Sequence, residues 1–231
     1  MALVKAEAVY KRYALGATDV LALDGVSATV EAGEFLAIAG PSGSGKSTLL
    51  NIIGCIDTAD AGTVCIDGVD VAGLDADALA DLRARRVGFI FQTFNLLPVL
   101  SAQENVEYPL LNLAGLGRGE RRERAEHYLQ VVGLADKARH RPNQLSGGQR
   151  QRVAIARALA TQPRLVLADE PTANLDQSTG REVLDLMQRI NRDTGTTFVF
   201  STHDRQVMDI ADRLLHMVDG RLRDDGAAGA D

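Results

Sequence analysis

Gly40-Pro41-Ser42-Gly43-Ser44-Gly45-Lys46-Ser47-Thr48 decides the fold of this 231-residue chain. The stretch fits GxxxxGK[ST] in full, and its surroundings are those the pattern requires. Before it, residues 34–39 hold the apolar run FLAIA, which reads as a strand buried on both faces. After it, Lys46 to Ile53 carries good helix formers. Strand, glycine-rich loop and helix therefore follow one another.

That order makes a phosphate cradle. Glycines let the backbone curl so that successive N–H groups point inward at phosphate oxygens. The helix N-terminus adds about half a positive charge. Lys46 offers a cation to β- and γ-phosphates, and Ser47 a hydroxyl to Mg²⁺.

Working outward, residues 3–13 and 20–31 read as two strands with Gly16 in the turn between them. A strand over 62–67 ends at an Asp67-Gly68 turn. Residues 75–85 have a helical pattern opened by Asp75, and Val87 to Phe91 form another strand. The stretch from about 100 to 160 is mostly helical. Ser101 with Glu104 makes a capping box, 118–132 is amphipathic, and 147–160 carries Val153, Ala156 and Leu159 at helical spacing. Strand-like runs return at Leu165–Ala168, Thr196–Ser201 and Leu214–Val218. A helix from Gln177 to Arg192 separates the first two, with Leu184, Met187 and Ile190 on one face. Strand-helix-strand order implies parallel pairing with right-handed crossovers. The small, polar end of the chain, 226–231, is expected to be disordered.

Two further motifs carry chemistry. Leu165 to Ala168 is an apolar strand ending in Asp169-Glu170. Neighbours on a strand point to different sides, so Asp169 can hold the Mg²⁺ shell while Glu170 faces the γ-phosphate and a water. A carboxylate within reach of that water is a general base. Leu145-Ser146-Gly147-Gly148-Gln149 is a second glycine-bearing turn at a helix start, read either as a second phosphate-binding end or as a plain N-cap. One nucleotide does not need two such ends from one chain. A head-to-tail pair resolves this, each chain capping the γ-phosphate held by the other.

Composition narrows the partners. The net charge is -6, which argues against a broad nucleic-acid surface. Cys55 and Cys65 form no metal-ligand cluster and read as buried free thiols in a reducing compartment. The start of the chain lacks the apolar core of a signal peptide, and no run reaches the roughly 18–20 apolar residues of a membrane span. A cytosolic protein, or one held at a membrane through a partner, is expected.

The order 40–48, Gln92, 145–149, 165–170 and His203 resembles the nucleotide-binding domain of ABC transporters over about residues 3–223. The resemblance implies an α/β fold: a P-loop NTPase (RecA-like) core with an antiparallel β subdomain and an inserted α-helical subdomain. It implies one domain over 1–225, with the core at about 1–91 and 161–225 and the helical subdomain at about 92–160. It implies an ATPase coupled to transport, with ATP and Mg²⁺ as ligands. Gln92 matches the glutamine that touches Mg²⁺ or the attacking water, and His203 the histidine that contacts the γ-phosphate. Tyr13 resembles the aromatic that stacks on adenine; as a strand residue it also reads as a half-exposed tyrosine. Asn174-Leu175-Asp176 matches the loop crossing the dimer seam, though Ala173 stands where the family more often has glycine.

NIIGCID, GFIFQTFNLLP, ENVEYPL and RPNQLSGGQRQRVAIARAL resemble the ATPases of lipoprotein-release and macrolide-export systems, with the cell-division ATPase a related alternative. The implied partners are a second copy of the chain and integral membrane permease subunits, at the cytoplasmic face of the inner membrane. Phe94, Leu96, Leu97, Val99 and Leu100 fit a docking groove near 93–108 for such a partner, or the seat of the helical insertion on the core.

Overall fold

The computed structural model describes residues 2–16 and 18–224. The expected tail at 226–231 lies outside them. In chain order the elements are β1 (Ala2–Leu15), β2 (Thr18–Glu31), β3 (Phe35–Ala39), α1 (Lys46–Ile53), β4 (Ala61–Ile66), β5 (Val69–Asp70), α2 (Ala76–Arg86), β6 (Val87–Ile90), α3 (Ala102–Glu107), α4 (Arg118–Val131), α5 (Gly147–Leu159), β7 (Leu165–Asp169), α6 (Gln177–Thr194), β8 (Thr197–Thr202), α7 (Arg205–Ile210), β9 (Arg213–Val218) and β10 (Arg221–Asp224).

The strands form two sheets. One is antiparallel, in the order β2-β1-β4-β5. The other runs β10-β9-β3-β8-β7-β6 and is parallel apart from its last hairpin, β9–β10. At the turn from β4 to β5, Asp67 (φ 50°) and Gly68 (φ 79°) both take left-handed conformations. That backbone matches the twist of a tight hairpin, which is why Asp-Gly sits there.

The central strands show why their sequences are apolar without a break. Along β3, Phe35 and Ala37 face one buried cluster while Leu36 and Ile38 face another. Along β7, Val166 and Ala168 serve the first cluster and Leu165 and Leu167 the second. Each strand is thus covered on both sides, and polar residues have no place along it. α1 and the antiparallel sheet cover one side; α6 and the helical insertion cover the other.

The insertion is α3, α4 and α5. Ser101 opens α3 through a capping box: its hydroxyl accepts from Glu104 N–H at 3.2 Å and its own N–H donates to Glu104 at 2.7 Å. Val153, Ala156 and Leu159 of α5 are buried, as are Leu184, Met187 and Ile190 of α6.

Cys55 is buried, but Cys65 is only half-buried. The short elements α7, β5 and β10 were not anticipated, and the strand expected over Thr196–Ser201 runs Thr197–Thr202. Among the described residues no helix is long and apolar enough to cross a membrane.

Candidate nucleotide site

β3 delivers the chain at Ala39 and α1 takes it up at Lys46. Gly45 precedes the helix at φ 105°, and a Cβ there would lie 2.4 Å from the Ala22 carbonyl oxygen. Gly43 has φ 79° with nothing near its Cβ position, so conformation rather than crowding selects glycine there. Lys46 is buried, and its ammonium donates to the carbonyls of Gly40 and Pro41, each at 2.8 Å. These bonds hold the cation on the inner side of the loop.

A cleft of about 570 Å³ opens over this loop. Tyr13, Val20, Ser42 to Thr48, Gln92, Asp169, Glu170 and His203 line it. Gly40 and Pro41 stand behind the wall and contribute through Lys46. Ser146 to Gln149 is elsewhere, at the start of α5.

The two acidic neighbours diverge. Asp169 Oδ1 accepts from the Ser47 hydroxyl at 3.0 Å. Glu170 turns away, with φ 48° and its N–H on the Ser201 carbonyl at 2.9 Å. A left-handed non-glycine residue costs about 1–2 kcal/mol, borne here by the β7–β8 pairing beneath it. Its Oε1 lies 2.8 Å from His203 Nδ1. An ionised carboxylate only accepts, so with Glu170 charged the imidazole N–H donates. Ser47, Asp169 and Gln92 line the same cleft with a hydroxyl, a carboxylate and an amide oxygen, the first two in contact. That donor set suits Mg²⁺, which keeps waters and phosphate oxygens as its other ligands.

Several supporting contacts carry no sequence signal, even where the residue itself, Asn174, does. Thr172 donates to Asp204 at 2.8 Å and so joins the loop after Glu170 to the one after His203. Asn174 donates to the Gln92 carbonyl at 2.8 Å. Gln151 of α5, fully buried, donates to the Pro171 carbonyl at 2.7 Å. Asn105, also fully buried, accepts from Leu97 N–H and donates to the carbonyls of Leu97, Leu100 and Ser101. Each pairing spans a separation that no local motif encodes, apart from Asn105, whose partners are four to eight residues away.

A second groove, about 700 Å³, lies between α2, β6 and the insertion. Phe89, Phe91, Asn95, Tyr108 and Arg157 line part of it. The apolar run before α3 divides: Phe94 is buried and Leu96 packs on the insertion, while Leu97 and Val99 are exposed. Phe94 thus seats the insertion, with Arg157 donating to its carbonyl and Arg150 over its ring.

A profile described as ABC transporter matches residues 23–173, more than half of the chain. The chain belongs to the ABC transporter family. A lipoprotein-releasing system ATP-binding protein, LolD, of Anaeromyxobacter dehalogenans is 50% identical over 223 residues, covering 96% of this chain and 93% of that one. The macrolide export ATP-binding/permease protein MacB of Brucella melitensis is 48% identical over 96% of this chain but only 34% of its own length. The ATP-binding cassette MJ0796, solved as a dimeric post-hydrolysis state bound to ADP and Pi, is 45% identical. It superimposes with a TM-score of 0.89 over 98% of this chain and 100% of that one. Within the family the chain is an ATP-binding domain with ATPase chemistry, and its fold is that of the cassettes.

Proposed function

We propose that this chain is the motor subunit of an ABC system that exports or extracts its substrate, working as a head-to-tail pair under a membrane permease. One observation carries the pairing. Ser146, Gly147, Gly148 and Gln149 form a second glycine-bearing helix N-terminus, where the N–H groups of Ser146 and Gln149 close a capping box and those of Gly147 and Gly148 stand beside it, yet none of the four lines the cleft that holds Lys46 and Glu170. A second copy, turned to face the first, brings that end to the γ-phosphate.

Within each site, the phosphate loop and Lys46 would bind the triphosphate, and Tyr13 would stack on the base. Ser47, Asp169 and Gln92 would hold Mg²⁺, which when bound neutralises charge on the β- and γ-phosphates. Glu170 would take the proton from the attacking water. His203, bonded to Glu170, would fix that carboxylate and reach the γ-phosphate. Closing the pair on ATP and reopening it after hydrolysis would do work on a partner seated in the groove of Tyr108 and Asn95. A chain without a membrane-crossing helix among its described residues would be held this way at the cytoplasmic face of the inner membrane.

Glu170→Gln tests both parts. Hydrolysis should fall by about 10²–10⁴-fold, the usual worth of a general base. With ATP and Mg²⁺ the variant should elute as a dimer in size-exclusion chromatography. A monomer that still binds ATP would overturn the paired site.

A further inference from the structure

Tyr13 sits near the end of β1, in the antiparallel sheet and not in the sheet whose β3 leads into the phosphate loop. A ring there would sample several rotamers unless something fixed it. Its hydroxyl donates to Asp57 Oδ2 at 2.7 Å. The other oxygen, Oδ1, accepts from the Lys11 ammonium at 2.8 Å and from Thr58 N–H at 2.7 Å. Lys11 is itself buried, donates again to the Thr58 carbonyl at 2.7 Å, and stands over the Tyr13 ring at 5.3 Å from its centroid. Burial works against the charge on Asp57, but the bonds from Lys11, Tyr13 and Thr58 more than offset it and hold its pKa below the ordinary value. The carboxylate is therefore a fixed, charged acceptor.

Asp57 belongs to the segment that leaves α1, the helix whose first residues are Lys46 and Ser47. The ring is thus tied to the element that carries the phosphate cradle, not to its own hairpin alone. The cross-strand neighbour of Tyr13, Val20, is exposed and lines the same cleft, giving an apolar ledge beside the ring.

We propose that Asp57 is a positioning residue for the nucleotide base: through the Tyr13 hydroxyl, with Lys11 behind it, it sets the ring at a fixed distance from the phosphate loop. The proposal rests on reading Tyr13 as the ring that stacks on the base. It goes beyond that reading by placing part of the base affinity in a carboxylate that the base never touches.

The test uses the full chain and two probes, ADP and inorganic pyrophosphate, titrated under the same conditions. Pyrophosphate has no base, so a change confined to ADP reports on stacking. Tyr13→Ala, Tyr13→Phe and Asp57→Ala should each weaken ADP, the last two by about 3- to 10-fold, while pyrophosphate binds as before. Asp57→Ala added to Tyr13→Phe should weaken ADP little further, because Asp57 touches Tyr13 through that hydroxyl. Tyr13→Phe leaves Asp57 and Lys11 in place, so it decides the matter even where Asp57→Ala unfolds the chain. If Tyr13→Ala leaves ADP affinity unchanged, Tyr13 is not the base platform and the proposal falls with that reading. If Tyr13→Ala weakens ADP but Tyr13→Phe and Asp57→Ala do not, the platform stands and the role of Asp57 is overturned. Equal loss of ADP and pyrophosphate affinity in Asp57→Ala would also overturn it, marking Asp57 as a part of the fold alone.

Discussion

Gly40 shows how little room the phosphate loop leaves. A Cβ there would lie 2.1 Å from the Met217 carbonyl oxygen, a backbone atom that cannot swing aside. Gly40→Ala should cost about 1–3 kcal/mol, typical of overpacking. For a chain of this length each kcal/mol lowers Tm by roughly 2–4 °C, readable in a thermal melt. Asp57 has a pH signature. Its carboxyl is held below the ordinary value of about 3.9, so its contribution is present above that pH and is lost as pH falls through the folded value. As pH falls below about 5, Asp57→Ala should therefore lose less stability than the unaltered chain. An identical acid limb in both melts would contradict this. Lys46, Ser47 and Asp169 could be read from sequence because a continuous pattern announces them. Asp57 could not: its partners, Lys11 and Tyr13, are 46 and 44 residues away, and an aspartate after a helix is ordinarily a turn residue.

Helices meet at the glycines of the second motif. The Cβ that Gly148 lacks would sit 2.3 Å from Thr179 Cγ2, in the first turn of α6. Gly148 therefore lets two helix starts approach, quite apart from any phosphate. Gly148→Ala should lower Tm, and adding Thr179→Ser should restore much of the loss. The serine removes the methyl but keeps the hydroxyl that bonds Asp176 at 2.6 Å. A double variant no better than the single one would locate the strain elsewhere. This close approach was invisible in the sequence, where a glycine pair after serine reads as a cap or an anion site. The strong elements were plain: β3 and β7 as unbroken apolar runs, α5 and α6 by their buried stripes. The weak ones were not. α7 has six residues and β10 four, too few for a period to emerge, and β10 is fixed by pairing with β9.

For the whole molecule, the groove beside the insertion is where a partner would feel the nucleotide. Gln92 lies in the nucleotide cleft, and Asn95, three residues on, lines the groove. Between them and α3 the chain is pinned from inside by Asn105 and Arg157, which leaves Val99 turned outward with 72% of its surface exposed. If the proposed membrane partner docks on this face, Val99→Asp should cut its co-purification about tenfold. ATP affinity of the isolated chain should not change, since Val99 is remote from the phosphate loop in the fold. Loss of ATP binding in that variant would instead make the loop part of the nucleotide site. None of the five apolar residues expected to form a docking groove lines this one; Phe94 is buried and Val99 exposed, and two equally apolar residues give no sign of that division in the sequence.

The last hairpin has a consequence for how the protein is made. Gly220 N–H donates to the Ser44 carbonyl at 2.9 Å, its own carbonyl accepts from Asp24 N–H at 2.9 Å, and β9 lies directly beside β3. The phosphate loop is spelled out at residues 40–48, yet the wall it leans on is written at 213–220. During synthesis the cradle emerges before this wall, and it gains the Gly220 bond only once that residue has left the ribosome. A chain stopped short of residue 213 should therefore hold its phosphate loop less firmly than one that reaches residue 220.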